Sequence, residues 1–286
     1  MKSLRFLSLI SPKLHAQALF LISFKKWLIF SKSKVKTLNE KIQWLKFNEY
    51  NKDIYTRCAD KYLVRKYVEE KGCSEILNPL IASYNSYKEI NFDVLPDKFV
   101  LKCNHGAGFN IIVEDKKQID NEKIKLKLDK WMQTDFSLFS AEPHYKSIPR
   151  KIICEEFLVN EVGQFPDDYK FYCFNGVPEY VMLCQGRKNS ETKFYYFDMD
   201  WNLVPLSSDS IDAINQNINI EKPTSFDEMK RHAYKLSSDF KFVRADFYHV
   251  NGKVIFGELT FTPSAGFDRD RLKKTDLLFG NLLNLG

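Results

Sequence analysis

A lysine at the end of an apolar run, followed by a glycine-containing loop, is the first feature of the chain with a chemical use. The run begins at Phe99, reaches Lys102 and continues through Gly106 and Gly108 into a second apolar run. A lysine ammonium supplies a point charge, and a loop with little side-chain bulk lets backbone N–H groups approach phosphate oxygens. Glycine turns and solvated strand-end lysines are common, so this segment predicts a polyphosphate site only together with other motifs.

Two acidic residues on either side of a predicted hairpin turn form the second feature. Asp246 and Glu258 flank the dipeptide Asn251-Gly252, which is typical of two-residue hairpin turns. Pairing across the turn would bring both carboxylates together on one face. Like charges on facing strands repel, and a divalent cation is one reason to keep them together. The alternative is that one carboxylate points to solvent or pairs with Arg244.

The elements that must position these residues alternate between helices and β-rich runs. Helices are predicted at residues 39–46, 60–71, 116–131 and 226–237, the last with a capping-type start at Ser225. In the third helix, Ile119, Leu126 and Leu128 are predicted to face inward. Strands are predicted around Lys102, at 152–158, 169–174, 180–184 and 194–197, and on both sides of the hairpin turn. This pattern predicts an α+β fold with antiparallel sheets in at least two lobes.

The composition is that of a packed globular protein. The chain has 286 residues, 44% of them hydrophobic, with 24 Phe and 14 Tyr, and this length allows one large domain or two to three lobes. Its six cysteines show no C-x-x-C pairing and no metal-ligand spacing. Cysteines inside apolar runs behave as small hydrophobes, so we expect a reducing, cytoplasmic location rather than a disulfide framework.

The positive charge is concentrated in residues 1–36. This segment holds eight cations and no acid, whereas the rest of the chain has 35 cations against 37 acids. Its apolar stretches are shorter than the roughly 18–20 residues that a bilayer requires, and no Ala-x-Ala-like signal-peptide cleavage site follows. Two interpretations stay open: an element that rests on anionic lipid, or helices packed on the protein's own body. No nucleic-acid partner is predicted.

The order of the motifs resembles that of an ATP-grasp ligase: the lysine and glycine loop comes first, then an acidic hinge at 154–158, an Asp-x-Lys strand at 168–170, and the paired acidic strands. In detail the chain resembles the TupA-like family of these ligases, which is associated with bacterial polysaccharide biosynthesis. The resemblance rests on four sequence motifs: Asn39–Lys46, Phe99–Gly106, Asp168–Gly176 and Phe256–Pro263. They imply an ATP-grasp fold, two α/β lobes with antiparallel sheets that clamp ATP, preceded by a helical N-terminal segment. The implied division is an N-terminal segment at 1–50, a linking region at 51–98, a small lobe at 99–157 and a large lobe with the metal site at 158–286.

The resemblance also implies a role for each matching residue. The positions that contact the phosphates, the adenine edge or the ribose of ATP are Lys61, Lys102, His105, Gly106, Gly108, Glu155, Glu156, Phe157, Leu158 and Asp168. For Asp168, a surface role stays open. The catalytic cations, which face the phosphates or an acidic substrate, are Lys170, Arg187 and Arg244. The Mg²⁺ ligands are Asp246, Glu258 and Thr260.

Thr260 departs from the Glu-x-Asn pattern with which the second metal strand ends in many ATP-grasp enzymes. Here the strand reads Glu258-Leu-Thr260. A threonine hydroxyl is a hard oxygen ligand, but it is shorter and weaker than an amide carbonyl. The departure bears on the second Mg²⁺ and not on the fold.

The reaction that the resemblance implies is ATP-dependent formation of an amide through an acylphosphate. The carboxylate would belong to a uronic acid of a bacterial surface polysaccharide or its precursor, and the amine to an amino acid or amino alcohol. Attack of a carboxylate on the γ-phosphorus brings two anions together, so Mg²⁺ and lysines must neutralise the charge. Two alternatives stay open: a sugar phosphotransferase, and a non-catalytic, membrane-apposed scaffold of polysaccharide assembly. The expected location is the cytoplasm, with the inner face of the cytoplasmic membrane if residues 1–36 rest on lipid.

Overall fold

Two antiparallel sheets form the framework of the chain. The structure is a computed structural model that describes residues 5–159, 165–186 and 192–286. The small sheet has the order β1-β4-β2-β3, with β1 (Leu80–Tyr84), β2 (Phe99–Cys103), β3 (Asn110–Val113) and β4 (Ile152–Glu156). The large sheet has the order β10-β9-β5-β6-β7-β8, with β5 (Asp168–Phe174), β6 (Val177–Gln185), β7 (Lys193–Phe197), β8 (Leu203–Val204), β9 (Phe242–Val250) and β10 (Lys253–Thr260). The first strand of the small sheet therefore comes from residues 51–98.

Helices pack on both sheets and extend to the N-terminal segment. The α-helices are α1 (Arg5–Ile10), α2 (Pro12–Phe24), α3 (Leu38–Asn48), α4 (Asp53–Ala59), α5 (Val64–Glu70), α6 (Asn121–Gln133), α7 (Ser137–Ser140), α8 (Ser208–Asn215), α9 (Phe226–Ser237) and α10 (Lys273–Leu282). Residues of α3, α4 and α5 join the core of the large sheet, although these helices precede the small sheet in the chain. The large lobe is thus built from both ends of the sequence.

Helix α6 covers the small sheet, and the inward positions predicted for Leu128 and, just before the helix, Ile119 are confirmed. It begins at Asn121 because Asp120 caps it, its side chain accepting from the N–H of Lys123. This start places Ile124 and Leu128 in the core, four residues apart on one face. The prediction for Leu126 is wrong, since its side chain is 67% exposed.

Two other predicted elements differ in detail. The helix predicted at 60–71 is wrong at its start: α4 ends at Ala59, and α5 begins only at Val64. The helix at 226–237 is confirmed with those bounds, but the side chain of Ser225 makes no capping hydrogen bond. Its hydroxyl instead lies 2.6 Å from Nδ1 of His249 on β9.

The predicted hairpin and the predicted state of the cysteines are both confirmed. Strands β9 and β10 pair around Asn251 and Gly252, which both have positive φ, at 52° and 78°, as a two-residue primed turn requires. All six cysteines are free and buried.

Candidate active site

The two sheets line a cleft with two adjoining cavities, of about 240 Å³ and 250 Å³. Together they reach the range of about 300–1,000 Å³ that is usual for small-molecule pockets. We call the first the hinge cavity; its lining includes Asn78, Val100, Glu156, Phe157, Leu158 and Phe165. We call the second the cation cavity; its lining includes Lys61, Gly108, Asp168, Lys170, Asp246 and Glu258. Lys102, Asn110 and Tyr248 line both.

Lys102 reaches the cleft from β2 and is held by a carboxylate of the neighbouring strand. Pairing of β2 with β4 makes Lys102 and Glu155 diagonal neighbours on one face, and the Lys102 ammonium donates to Glu155 at 2.6 Å. Glu155 is buried, and its second oxygen lies 3.5 Å from the guanidinium of Arg65. Its carboxylate therefore points at Lys102, and the acidic residue that lines the hinge cavity is Glu156.

Lys61 reaches the same cleft from the turn between α4 and α5. Asp60 is buried at this turn and accepts from the Asn104 amide at 2.8 Å, while the Lys61 N–H donates to the Asn104 carbonyl at 3.2 Å. The Lys61 ammonium donates to the carbonyl of Gly106 at 2.6 Å and lies 3.9 Å from Glu258. Lys61 thus connects the glycine loop of the small lobe to the acidic strand of the large one.

The glycine loop is anchored by packing on one side and open to the cleft on the other. The buried ring of His105 donates through Nε2 to the carbonyl of Trp131 at 3.0 Å, so its side chain binds α6. A Cβ at Gly106 would lie 2.7 Å from the ring of Phe136, which leaves no room for a side chain. Gly108 has a φ of 73° and lines the cation cavity. Phosphate contact by this loop stays a prediction, and it falls to the backbone at Gly108 rather than to the His105 ring.

Three adjacent strands of the large sheet carry one charged residue each in a single row. Lys170 on β5 pairs with Asp246 on β9, and Asp246 pairs with Glu258 on β10. The Lys170 ammonium donates to Asp246 at 2.8 Å and lies 3.4 Å from Asp168. Asp168 is buried in the cation cavity, so the surface role that the sequence left open is excluded, whereas ribose contact stays a prediction.

Arg244 and Thr260 form a second row beside the first. The Arg244 guanidinium donates to both oxygens of Asp246, at 2.7 and 2.6 Å, and to the hydroxyl of Thr260 at 3.2 Å. That hydroxyl donates to Glu258 at 3.1 Å. The pairing of Asp246 with Arg244 that the sequence left open is therefore present, together with the predicted proximity of Asp246 and Glu258.

The charges of this network change the pKa values of its members. Burial alone would raise the pKa of Asp246, but Arg244 and Lys170 lower it below its ordinary value. Burial likewise opposes ionisation of Glu258, whose pKa is nevertheless lowered, mainly by Lys61. Burial lowers the pKa of Lys61. Both carboxylates are consequently ionised at neutral pH.

The carboxylates suit Mg²⁺ as part of its coordination and not as a complete site. Carboxylate and hydroxyl oxygens are the hard ligands that Mg²⁺ prefers, and Asp246, Glu258 and Thr260 supply them on adjacent strands. In the described part of the chain, however, no group of three His, Cys, Asp or Glu side chains could hold a metal ion. Mg²⁺ commonly takes one or two carboxylates together with substrate phosphates. The donor set therefore fits an ion that arrives with a nucleotide.

The lining of the hinge cavity suits a flat aromatic ring. Val100, Phe157, Leu158 and Phe165 supply apolar surface. At one edge, the Asn78 amide donates to the carbonyl of Glu156 at 2.9 Å. Apolar walls with a few placed polar groups are typical of cofactor sites, and the cavity adjoins the cations that a triphosphate would need.

The cleft gathers most of the predicted site residues and adds three that the sequence analysis missed. Arg187 lies outside the described residues. Arg65, Asn78 and Tyr248 were missed: Arg65 sits on a helix with nothing to distinguish it from other basic residues, and Asn78 is one polar residue in a short apolar run. For Tyr248 a signal existed, since it lies two residues after Asp246 on the same strand face.

A nucleotide-sized cleft between two antiparallel sheets, with lysines on one side and paired carboxylates on the other, is the arrangement of the ATP-grasp class. The chain belongs to the TupA-like ATP-grasp family, because a sequence model of that family matches residues 40–284. This confirms the family and the fold that the sequence predicted. No curated protein matches the chain.

Solved structures with a similar arrangement include three ligases. D-alanine–D-alanine ligase from Bacillus anthracis, complexed with ATP, has 14% sequence identity and a TM-score of 0.48, over 79% of this chain and 64% of that one. L-amino acid ligase from Bacillus licheniformis has 12% identity and a TM-score of 0.46, over 80% and 49%. D-alanine–D-alanine ligase from Helicobacter pylori has 14% identity and a TM-score of 0.42, over 87% and 67%. The chain thus spans about half to two thirds of the length of these ligases.

Proposed function

We propose that the chain is an ATP-dependent carboxylate–amine ligase. Its substrates would be a uronic acid of a bacterial surface polysaccharide, or its precursor, and an amino acid or amino alcohol. The observation that supports the ligase best is the set of three lysines in one cleft, Lys61, Lys102 and Lys170, beside the carboxylates of Asp246 and Glu258. Arg244 adds a fourth cation through its ion pair with Asp246. The uronic acid rests on the association of the family with polysaccharide biosynthesis.

The reaction has two steps. A carboxylate oxygen attacks the γ-phosphorus of ATP and the bond to the β-phosphate oxygen breaks, which gives an acylphosphate and ADP. The amine nitrogen then attacks the acyl carbon, inorganic phosphate leaves, and the amine loses a proton. The first step brings two anionic groups together, and the second develops negative charge on the oxygen of a tetrahedral intermediate, so positive charge fixed in a closed cleft lowers both barriers.

The residues of the chain divide this work between the two lobes. Lys102 is held by Glu155 at 2.6 Å and Lys61 by the Gly106 carbonyl at 2.6 Å, so both ammonium groups are fixed before ATP binds. Lys170 donates to Asp246 at 2.8 Å, deep in the cleft. When bound, Mg²⁺ would be held by Glu258 and Asp246 and would neutralise the charge on the phosphates.

The test is the fate of the γ-phosphate with the full chain, ATP, Mg²⁺, a uronic acid-containing acceptor and hydroxylamine in place of the amine. With a ligase, hydroxylamine traps the acylphosphate as a hydroxamate and inorganic phosphate is released. ADP, phosphate and hydroxamate then form in equal amounts. A sugar phosphotransferase keeps the phosphate on its product, and a non-catalytic scaffold forms neither ADP nor product. Phosphate retained on the sugar with no hydroxamate, across the acceptors tested, would reject the ligase.

A pair of lysines provides the matched control. Lys102→Met should abolish hydroxamate formation, whereas Lys98→Met changes an exposed lysine just before the same strand and should leave it unaffected. Loss of activity in both variants would point to damage of the small sheet rather than to a role in phosphate binding.

A further inference from the structure

We infer that residues 6–29 present a docking face for membranes that contain anionic lipid. Sixteen large hydrophobic side chains are exposed in the described part of the chain, and seven of them fall in this stretch: Phe6, Leu9, Ile10, Leu14, Ile22, Trp27 and Ile29. Their exposed fractions run from 50% to 70%. Exposed apolar residues scattered singly need no explanation, but a concentration of this kind marks an interaction surface. This inference does not depend on the proposed reaction.

The stretch is folded onto the body of the protein by its other side. His15, Ala16, Leu19 and Phe20 of α2 are buried, and the rings of Phe20 and Phe267 lie 6.4 Å apart. Beyond α2, the ammonium of Lys26 bonds to Glu40 on α3. Packing on the protein's own body, one of the two interpretations of the sequence, is therefore correct for one side of the segment and leaves the other side without a partner in the described chain.

The exposed apolar residues are grouped and not spread evenly around the helices. Phe6, Leu9 and Ile10 stand three and four residues apart on α1, which places them on one helix face. Trp27 and Ile29 flank the buried Leu28, so both project away from the body. Tryptophan is enriched where a membrane meets water, and interfacial elements bury such groups about 5–10 Å deep.

The charge of the stretch selects the partner. Lys13 and Lys25 are exposed within the stretch, Lys32, Lys34 and Lys36 are exposed directly after it in the chain, and residues 1–36 contain no Asp or Glu. A second copy of the chain would bring the same cations against each other, which is unfavourable. Anionic headgroups complement them, and each lysine near such a surface contributes to binding. None of the described helices is long and apolar enough to cross a bilayer, so contact at the surface is the arrangement that fits.

The test is co-sedimentation of the full chain with vesicles of phosphatidylcholine, alone or mixed equally with phosphatidylglycerol. We expect sedimentation only with the mixed vesicles and less of it as salt rises, because screening weakens exposed charges. The double variant Lys25→Glu/Lys32→Glu and the double variant Leu9→Ser/Trp27→Ser should each lower the partition coefficient by at least about tenfold.

The matched control is Leu126→Ser/Lys127→Glu, which changes an exposed leucine and an exposed lysine on α6 and should bind vesicles like the wild type. Circular dichroism melts verify that each variant is folded. The inference is overturned if the wild type stays in the supernatant with mixed vesicles at low salt. It is equally overturned if sedimentation equilibrium shows a dimer that the two N-terminal variants dissociate.

Discussion

Glu155 shows how a residue can lie in the predicted site and do a different task. The resemblance predicts that Glu155 contacts the edge of the adenine ring. In the structure its carboxylate accepts hydrogen bonds from Lys102 at 2.6 Å and from Arg65 at 3.5 Å. A buried carboxylate needs compensating charge, and Lys102 on the next strand is the nearest source. Contact with the adenine edge stays a prediction for Glu156, Phe157 and Leu158, which line the hinge cavity.

The first residue-scale prediction concerns nucleotide affinity. Lys102→Met should weaken binding of a non-hydrolysable ATP analogue by about 1.5–3 kcal/mol, the value of a hydrogen bond to a charged group. Isothermal titration calorimetry measures it, with Lys98→Met as the control for a lysine outside the cleft. Equal affinity in the wild type and Lys102→Met would exclude Lys102 from the phosphate site.

The second residue-scale prediction separates the two carboxylates of the predicted metal pair. The Asp246 side chain is 3% exposed and bonds to Arg244 and Lys170, whereas that of Glu258 is 41% exposed. Asp246→Asn should therefore destabilise the fold by about 3–5 kcal/mol, because buried cations lose their partner. Glu258→Gln should abolish Mg²⁺-dependent turnover with little loss of stability. Urea unfolding and ADP release measure the two effects, and full turnover in Glu258→Gln would refute the metal assignment.

The same burial predicts a pH effect with a definite sign. The pKa of Asp246 is lowered in the folded state, so its stabilisation is complete above the unfolded pKa of about 3.9 and is lost as pH falls through the lower, folded value. The free energy of unfolding should fall less steeply below about pH 4 in Asp246→Asn than in the wild type. Parallel acid limbs in the two proteins would contradict the ion pairing.

At the scale of elements, a β-bulge decides whether the predicted metal pair exists. With the turn at Asn251-Gly252, regular pairing would place Asp246 opposite Gly257 and turn Glu258 to the other face. The register shifts between Phe256 and Glu258, so that Glu258 lies opposite Asp246. The sequence indicated the hairpin and both carboxylates, but the bulge that brings them together had only the glycine within the strand as its signal.

The bulge gives a prediction of its own. A Cβ at Gly257 would lie 3.0 Å from the Asp246 carbonyl and 3.2 Å from the Tyr248 ring, so Gly257→Ala should shift Glu258 against Asp246. A misplacement of about 1 Å can cost about a hundredfold in rate, so the smaller shift expected here should lower turnover by about tenfold. Lys253→Ala, at the exposed start of the same strand, is the control and should retain full activity. Unchanged turnover in Gly257→Ala would mean that the bulge tolerates a side chain.

Helix α3 acts as a support for the loop that follows β10. Gln43 and Lys46 donate to the carbonyl of Ala265, at 3.0 and 2.6 Å, and Asn39 donates to that of Asp268 at 3.1 Å. Ser264, Ala265 and Gly266 in this loop have positive φ, which side chains of the first two disfavour. The motif at residues 39–46 thus stabilises the strained backbone at Ser264 and Ala265, just after strand β10.

This support predicts different results for two lysines of one helix. Lys46→Met should lower the free energy of unfolding by about 1–3 kcal/mol, the cost of an acceptor that loses its partner, because the carbonyl of Ser140 accepts from the Lys46 ammonium at 2.9 Å. It should also lower turnover, since the loop at Ala265 follows Glu258 and Thr260. Lys41→Met removes bonds to the carbonyls of Gly280 and Leu283 on the C-terminal side of the molecule, so it should lower stability but spare turnover. Equal turnover in both variants would limit α3 to a structural role.

For the whole molecule, short contiguous motifs in the sequence indicate the fold. The sequence does not predict which residues from distant parts of the chain come into contact. The lysine strand, the hairpin and the helix at 226–237 each carry a local signal and are present. Arg65 and Glu155 are 90 residues apart in sequence, and Lys46 and Ala265 are 219 apart, so no periodicity reports their meeting. The resemblance to a family predicted which residues form the site. The contacts between those residues and the rest of the chain arise from tertiary packing and were not predicted.

The two separate hydrophobic cores lead to the last prediction. One core belongs to the small sheet and α6, the other to the large sheet, and the cleft between them carries Lys102 on one side and Lys170 on the other. A ligand that contacts both lobes stabilises each against opening, by about 2.7 kcal/mol when its concentration is a hundred times the dissociation constant.

Hydrogen exchange of the amides in β2 and β3 should therefore slow on addition of a non-hydrolysable ATP analogue with Mg²⁺, in step with those of β9 and β10. In Lys170→Met, where the large-lobe contact is weakened, protection of all four strands should decrease together. Protection confined to one sheet in the wild type would mean that the nucleotide binds a single lobe, and the clamp would have to be abandoned.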